Sequence, residues 1–526
     1  MRGMSTRVGT LTAVILGSAI VFLDGTIVNV AVEAIGRELP TTLVGRVEGL
    51  TYVNSGYLAV LSALLILAGG ISDFYGRRRT FRIGLVGFGA ASVACGLAPT
   101  MELLIGARLV QGAFGALLVP GSLAIITATF SGEERGRAIG LWAAGTSATI
   151  ILGPFLGGFL VQSISWRAAF LINVPLVLIA LWATTAVIES RDDEAEGRFD
   201  WLGAAVIAVG VGGLAFGATR GAERNWQDTL ALVSLGVGAA AAIAFPILMR
   251  VRPNPLVPMS LWRSRNFTVV NLSTLVIYGA LYVTLIFQSL YVQGTLGYSP
   301  IAAGAIVLPV GLLLTFLSTP AGQLAGRIGP RLFMTVGPIL MALGLLWLTR
   351  IPPDSDAWLA DLTSLATLVP PLDAVVDVLL ALVVFGLGIS LLVAPLTTAL
   401  MSSVPVRQAG LGSAINNAIS RVGAPLVSAV LFIAISASFY PLLAQRVPGL
   451  TAEEARAAEI QPLASVPDGT DPAIEAAARE ASTDAFHLAM LVSAVLLLAG
   501  AAINGVGIRN PSPEAMEAAG DATPSS

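Results

Sequence analysis

Fourteen apolar runs divide the chain, and their length constrains the fold more than any other feature. A helix that crosses the hydrocarbon core of a bilayer needs about 20 apolar residues, and each run is close to that length. Only 12% of the residues are charged, whereas a soluble domain has about 25%. The sequence therefore predicts an all-α polytopic membrane protein. The predicted spans lie near 11–32, 50–71, 81–99, 102–128, 138–161, 168–188, 201–219, 229–249, 267–291, 301–320, 332–350, 374–400, 410–438 and 485–507.

The distribution of arginine predicts the orientation of the spans. All 29 basic residues are arginine, and outside the spans about twice as many lie on the side of the N-terminus as on the other side. Because cytoplasmic loops carry an excess of basic residues, we expect both termini in the cytoplasm. The long loops 351–373 and 439–484 then lie outside, and the second is expected to hold two short surface helices, "TAEEARAAEI" and "DPAIEAAAREA". The polar segment 511–526 is predicted to be a disordered cytoplasmic tail.

The scarcity of reactive residue types disfavours most catalytic functions. The chain has one cysteine, Cys95, and one histidine, His487, so we expect neither a disulfide framework nor a Cys/His metal site. No G-x-x-x-x-G-K-[ST] segment is present, which disfavours an ATP-driven pump within this chain. No nucleophile and base converge in the pattern, so we expect a protein that is not an enzyme and needs no cofactor.

An internal repeat is visible in two loops. "GGISDFYGRRRTF" (69–81) and "GQLAGRIGPRLFM" (322–334) share a pattern in which Gly69, Gly76 and Arg78 correspond to Gly322, Gly329 and Arg331. The same offset places span 1 on span 9. Spans 9–14 therefore repeat spans 1–6 in parallel, as in transporters that bind substrate between two bundles near the midplane of the membrane.

Six segments carry a resemblance to a known family. In chain order they are "LDGTIVNVAV" (23–32), "GGISDFYGRRR" (69–79), "LIGARLVQGAFGA" (104–116), "TIILGPFLGG" (149–158), "WRAAFLINVPL" (166–176) and "YVQGTLGYSPIAAGAIVLP" (291–309). Together they resemble the major facilitator superfamily, and within it the fourteen-span drug:proton antiporter branch. The resemblance implies the major facilitator fold: two six-helix bundles, 1–190 and 263–510, with an inserted helix pair in 191–262.

The resemblance also implies a function. It predicts a proton-coupled antiporter that exports drugs or other amphipathic molecules, cationic or lipophilic, across the cytoplasmic membrane by alternating access. The expected partners are small-molecule substrates, protons and the lipid bilayer, without nucleic acid, and the expected state is a monomer. Export of a native metabolite, lipid or siderophore, uptake by symport, and a sensor that transports nothing stay open as alternatives.

Two charged residues inside spans are the predicted site of proton coupling. Asp24 lies about 20 Å into span 1 and Arg108 about 10 Å into span 4 from the other side, so both fall at a similar depth. In the superfamily fold, spans 1 and 4 line the central cavity, so an Asp–Arg pair is possible there. Ionisable groups inside a membrane usually mark ion or substrate paths, although the pair alternatively serves only to lock two helices together.

Two further segments are predicted to take part in gating. Gly153 and Gly157 belong, with Gly145 and Thr149, to a ridge of small residues on span 5, which indicates close helix packing, and Pro154 adds a kink. The family resemblance implies that this bend opens or seals the cavity. The loop residues Asp73, Gly76, Arg77 and Arg78 form a tight turn with an arginine run, which by itself predicts an anchor for the topology. The family resemblance implies that Asp73 acts there as a cytoplasmic latch.

Several polar or aromatic side chains in apolar spans are candidates for the wall of the substrate cavity. Each of them alternatively packs between helices or at the membrane interface. The predicted cavity residues are Asn29, Asn54, Tyr57, Gln111, Tyr278, Tyr282, Gln288, Asn417 and Arg421.

Overall fold

Helix occupies each of the fourteen predicted span positions in the computed structural model of the chain. The structure describes residues 6–41, 46–191, 199–223, 228–361, 364–447, 449–458, 460–467 and 469–510, and within these ranges it contains no β-strand. The predicted tail 511–526 lies outside the described residues.

The α-helices of the described residues fall into three groups. Those before the insertion are α1 (Thr6–Glu38), α2 (Arg46–Tyr75), α3 (Arg77–Gly96), α4 (Met101–Gly115), α5 (Leu118–Thr129), α6 (Gly132–Ser163), α7 (Ala168–Leu171) and α8 (Asn173–Ala183). Those of the insertion are α9 (Trp201–Glu223) and α10 (Thr229–Val251). Those after it are α11 (Arg265–Leu290), α12 (Pro300–Ala305), α13 (Leu308–Ile328), α14 (Arg331–Leu348), α15 (Leu380–Ser402), α16 (Ala409–Arg446), α17 (Ala452–Ala457) and α18 (Pro472–Gly507).

Twelve segments of the described residues are long and apolar enough to cross a membrane. They cover every predicted span except the third and the fifth, whose positions are held by α3 and α6. Both of these helices begin with charged residues: α3 with three arginines, and α6 with two glutamates in its first turn. The all-α, multi-span architecture is thus confirmed, and the crossing of the membrane by α3 and α6 as well stays a prediction.

Two glycines at equivalent positions of the repeat end helices in the same way. Gly76 separates α2 from α3 with φ 107°, and Gly329 separates α13 from α14 with φ 91°. A side chain at these backbone angles is strained, whereas glycine adopts them freely. The glycines reverse the chain at what we call the arginine-rich face, where Arg77, Arg265 and Arg331 lie. The other end of the helices is the opposite face.

The helices before and after the insertion form two bundles. In the first, α1 packs against α5, α6 and α8, while α2 and α3 pack against α4; in the second, α14 packs against α15 and α18, and α11 against α16 and α18. The bundles meet where α2 contacts α16 and where α6 contacts α13. This arrangement places α1 and α4 within one bundle and α16 within the other.

The inserted helices α9 and α10 form a tight hairpin at the edge of the junction between the bundles. Gly213 and Gly217 let the backbone of α10 approach α9, because a Cβ on Gly213 would lie 2.8 Å from the Ser234 carbonyl oxygen. In turn α9 contacts both α2 and α16. The pair therefore covers one side of the line along which the bundles meet.

The prediction of a long loop over 439–484 is wrong in its extent. Helix α16 continues to Arg446, and α18 begins at Pro472, so the second predicted surface helix forms the first turns of α18. Arg446 donates to Glu480 at 3.0 Å and to Asp484 at 2.6 Å. These ion pairs join the two helices where both extend beyond their apolar runs. The first predicted surface helix is present as α17.

Candidate functional site

Asp24 and Arg108 lie together in the interior of the first bundle. The Arg108 guanidinium donates to Asp24 Oδ2, and neither side chain is exposed. They come from α1 and α4, which run in opposite directions and bring the two residues to one depth. The ion pair supplies the partner that the local sequence around Asp24 does not contain.

Three amide and hydroxyl side chains complete the site. Gln111 Nε2 donates to Asp24 Oδ1 and to Ser92 Oγ, both at 2.9 Å, and Asn173 Nδ2 donates to Asp24 Oδ1 at 2.9 Å. Arg108 Nη1 also donates to Gln111 Oε1 at 2.7 Å. The Asp24 carboxylate therefore accepts two hydrogen bonds from amides in addition to the one from Arg108. Hydrogen bonds of this kind stabilise a buried charge.

Ser92 and Asn173 belong to this candidate site, and the sequence did not predict them. They lie on α3 and α8, and both are fully buried. The sequence feature that could have identified them is a polar residue inside an apolar span. For Asn173 a second such feature is its place in the "INVPL" segment. Many spans contain such residues, so the pattern alone does not select these two.

The rest of the Arg108 guanidinium is held by backbone and by aromatic rings. Its Nε donates to the Val53 carbonyl oxygen at 2.9 Å, and the group lies 3.9 Å above the centre of the Tyr57 ring and 5.7 Å from that of Phe170. Within the described residues its Nη2 atom has no hydrogen-bond partner. Tyr57, predicted as a cavity residue, thus shields one side of the ion pair.

Two glycines of α6 pack against α1 beside Asp24. A Cβ on Gly153 would overlap the Thr26 side chain, and one on Gly157 would lie 3.2 Å from the Ile27 carbonyl oxygen. The close approach of the two helices, expected for a ridge of small residues, is therefore present next to the charged site. The side chain of Pro154 lies outside the described residues.

The predicted latch connects the bundles at the arginine-rich face. Asp73 accepts hydrogen bonds from the backbone N–H groups of Gly410 at 3.1 Å and Leu411 at 2.8 Å, at the start of α16. Arg77 pairs with Asp73 at 2.9 Å and donates to the Val406 carbonyl oxygen. The positive end of the α16 dipole favours a carboxylate at this position.

The neighbouring residues fix the loop within the first bundle. The Arg78 backbone N–H donates to Glu189 Oε1 and that of Arg79 to Glu189 Oε2, each at 3.0 Å. Arg78 thus contacts the end of its own bundle, whereas Arg77 reaches the other bundle. Nearby, a Cβ on Gly69 of α2 would lie 2.5 Å from the Gly410 carbonyl oxygen. We call the contact of Gly69, Asp73 and Arg77 with α16 and with the turn that precedes it the α2–α16 seam.

A second seam joins the bundles at the same face. A Cβ on Gly136 of α6 would lie 2.5 Å from the Gly322 carbonyl oxygen of α13, and a Cβ on Gly140 would lie 2.7 Å from the Thr319 Cα. An exposed ion pair, Arg327 to Glu133 at 2.6 Å, lies beside them. We call this contact the α6–α13 seam. Together the two seams close the arginine-rich face between the bundles.

The remaining predicted cavity residues lie apart from Asp24. Asn54 is half-buried on α2, and the side chain of Asn29 lies outside the described residues. Tyr278 and Tyr282 have ring centres 6.2 Å apart on α11. Gln288 of the second bundle is fully buried, and neither of its polar atoms has a hydrogen-bond partner among the described residues. Asn417 and Arg421 lie on α16 of the same bundle. Asn417 donates to the Ser413 carbonyl oxygen at 2.9 Å, and Arg421 is half-buried.

A separate polar clasp fastens the inserted pair at the opposite face. Arg220 donates to Asp228 at 2.8 Å and to the Tyr52 hydroxyl of α2. Asp228 caps α10 by accepting from the Ala231 N–H at 3.0 Å. The hydrogen bond from Arg220 and this cap lower the pKa of the Asp228 carboxyl, so the clasp stays charged at neutral pH. It ties the hairpin to the first bundle.

Comparison with known proteins agrees with this architecture. The family model described as Major Facilitator Superfamily matches residues 14–428. The Multidrug resistance protein Stp of Mycobacterium tuberculosis is 33% identical over 448 residues, which cover 84% of this chain and 79% of that protein. The Tetracenomycin C resistance and export protein of Streptomyces glaucescens is 30% identical over 423 residues, 80% of this chain and 74% of that protein.

A solved structure shares the fold. The proton:xylose symporter XylE superimposes with a TM-score of 0.60 at 16% identity, over 97% of this chain and 98% of that one. The family model covers most of the chain, and the relatives match along most of their own length. The family predicted from the six sequence segments is confirmed: this chain belongs to the Major Facilitator Superfamily.

Proposed function

We propose that this protein is a proton-coupled antiporter that exports amphipathic small molecules across the cytoplasmic membrane. The relatives named for multidrug resistance and for tetracenomycin C resistance and export support the export of drug-like molecules. The observation that carries proton coupling is the fully buried ion pair of Asp24 and Arg108, far from either helix end. We place the arginine-rich face in the cytoplasm, and we expect the protein to act as a monomer.

The chemistry of the pair follows from charge. With Asp24 ionised, the pair is neutral and Gln111 and Asn173 satisfy the carboxylate. A proton on Asp24 removes the negative charge and leaves the Arg108 cation without a counterion in a medium of low polarity, which is costly. Protonation therefore favours a rearrangement of α4 relative to α1. A proton that enters Asp24 from one side of the membrane drives that change.

Opening and closing of the two seams would complete the transport cycle that protonation of Asp24 begins. In this structure both seams are closed at the arginine-rich face, so the space between the bundles does not open there. Transport requires a second state in which the seams separate and the opposite face closes. We infer that the rearrangement at Asp24 reaches the seams through α1 and α6, which pack together at Gly153 and Gly157.

The proton gradient supplies enough free energy for useful export. Moving one charge across 100 mV is worth about 2.3 kcal/mol, and each pH unit adds about 1.4 kcal/mol. One proton per substrate thus supports a concentration ratio of a few hundred-fold or more.

Proton exchange in everted membrane vesicles tests the proposal. Adding a substrate from a drug panel to acidified vesicles should release protons with wild-type protein and with Glu134→Gln, which removes an exposed partner of Arg7. Asp24→Asn should abolish the release. Because Asn at position 24 leaves Arg108 unpaired at a cost of about 3–5 kcal/mol, the neutral double variant Asp24→Asn/Arg108→Gln should fold and likewise fail to release protons. Wild-type proton release by either variant would contradict the role of Asp24.

Labelling tests the orientation. A cysteine in place of the exposed Glu453, in the first turn of α17, should react with a membrane-impermeant maleimide in intact cells. The native Cys95 is buried and should not interfere. If this cysteine reacted only after the cells were opened, α17 would lie in the cytoplasm and the proposed orientation would be wrong.

A further inference from the structure

Arg421 is an intramembrane charge that the proton-coupling pair does not use. It lies on α16, about 18 Å along the helix from its start at Ala409. It is the only charged residue of α16 before Arg446. An ionisable group at such a depth usually marks a substrate or ion path.

The face of α16 that carries Arg421 is turned toward the first bundle. Gly410, Ala414 and Arg421 recur at a spacing that places them on one stripe of a helix. A Cβ on Gly69 of α2 would lie 2.5 Å from both the Ala414 Cβ and the Gly410 carbonyl oxygen, so this stripe faces α2. Gly423, on another stripe, contacts Leu275 of α11 instead.

The depth of Arg421 matches that of Tyr57. Helices α2 and α16 run antiparallel from their contact at Gly69 and Gly410, so twelve residues along one and eleven along the other lead from that contact to Tyr57 and Arg421. Arg108 lies over one face of the Tyr57 ring. Tyr57 therefore shields the ion pair of Asp24 and Arg108 at the depth at which α16 carries Arg421.

Arg421 lacks the partners that neutralise Arg108. In the described part of the chain it makes no ion pair and no hydrogen bond, and it is half-buried. Asp24, the carboxylate at the same depth, is already saturated by Arg108, Gln111 and Asn173. A partly desolvated guanidinium without a counterion favours an anion, for which its planar donors are suited.

We propose that Arg421 binds the anionic group of the substrate, so that the protein exports amphipathic molecules that carry a carboxylate or phenolate. This inference rests on the proposed function and names the substrate class of the same transport site. The sequence-based expectation is of cationic or lipophilic substrates, and an anionic substrate differs from the first of these in charge. Asp24, Arg108 and Arg421 together carry a net positive charge, and protonation of Asp24 makes that charge more positive, so a cation is repelled in both states.

The proposal has an electrical consequence. With one proton entering for each monoanion that leaves, two charges move inward in each cycle. The same exchange with a monocation moves no net charge. Export of an anion therefore depends more strongly on membrane potential than on the pH difference.

Two dyes with one xanthene skeleton test the binding step. Fluorescence anisotropy of purified wild-type protein should show binding of anionic fluorescein in preference to cationic rhodamine 123. Arg421→Gln should weaken fluorescein binding by about tenfold or more, the loss expected for a charge-assisted hydrogen bond, while Arg421→Lys keeps the charge and should lose less. Arg446→Gln on the same helix removes a cation that is already paired with Glu480 and Asp484, and should leave binding unchanged.

The outcomes separate this inference from the proposed function. The role of Arg421 would be overturned if wild type and Arg421→Gln bound fluorescein equally well, or if the substitution weakened the binding of both dyes equally. It would also be overturned if the wild type preferred rhodamine 123 or preferred neither dye. Proteoliposomes provide the second readout. Fluorescein binding that depends on Arg421, without transport driven by a proton gradient, would overturn proton coupling and leave the anion site standing.

Discussion

The two seams at the arginine-rich face occupy equivalent places in the internal repeat but are held together differently. In the α2–α16 seam, Gly69 approaches Gly410, and the buried Asp73 carboxylate accepts hydrogen bonds from two backbone N–H groups of the other bundle. In the α6–α13 seam, Gly322 approaches Gly136, and the charged pair beside it is exposed. The repeat therefore preserves the close backbone contact and not the charge.

The residue that corresponds to Asp73 in the second half is Gly326. A Cβ there would lie 3.4 Å from the Glu133 Cα, so a longer side chain would meet α6. The absence of a side chain lets α13 and α6 touch along their backbones. The α2–α16 seam therefore depends on the buried charge of Asp73, which a proton or a mutation can remove. The α6–α13 seam depends on the close fit of two helix backbones.

The largest effect is expected from Asp73→Asn. It leaves Arg77 buried beside a neutral partner, and breaking a buried pair costs about 3–5 kcal/mol. The α2–α16 seam should open, which double electron–electron resonance between spin labels at the exposed Tyr75 and Val406 would report as longer distances. Asp354→Asn, an exposed carboxylate at the opposite face, is the control. Unchanged distances would show that shape alone holds this seam as well.

An intermediate effect is expected from Gly136→Leu. The side chain would collide with the Gly322 backbone, and overpacking of this kind costs about 1–3 kcal/mol. Thermal stability and transport rate should both fall. Gly158→Leu on the same helix is the matched control, because nothing lies within 4 Å of a Cβ at that position. Equal losses for the two variants would mean that the helix, and not the seam, is disturbed.

The smallest effect is expected from Arg327→Gln. Its partner Glu133 is exposed like Arg327 itself, and exposed ion pairs contribute about 0–1 kcal/mol. Transport measured in proteoliposomes should stay near the wild-type rate and show little added dependence on salt. A loss as large as that of Asp73→Asn would show that the two seams share a dependence on charge.

Much of the fold was predictable because membrane spans are local features. A run of about 20 apolar residues must satisfy its backbone within one helix, and each predicted run is helical in the structure. The errors lie outside the hydrocarbon core, where α16 and α18 extend through polar turns joined by Arg446 and Glu480. That extension depends on a contact between helices that no single run reveals.

The candidate site was predictable only in part. Asp24 and Arg108 stood out because a charge inside a span is costly and therefore rare. Ser92 and Asn173 did not stand out, because uncharged polar residues in spans are common. Their role depends on the distances of 2.9 Å that join Asn173 and Gln111 to Asp24 across three helices.

The order of residues already dictates the membrane spans, the repeat, the family and the presence of charges within the bilayer, since each of these is written in short stretches of chain. The folded arrangement alone decides which charges neutralise each other. Arg108 and Arg421 are both isolated arginines in apolar spans, yet Arg108 forms an ion pair with Asp24 and Arg421 faces the first bundle without a partner in the described residues. Electrostatic interaction in a medium of low polarity depends on distance in space, and distance in space is set by how the helices pack.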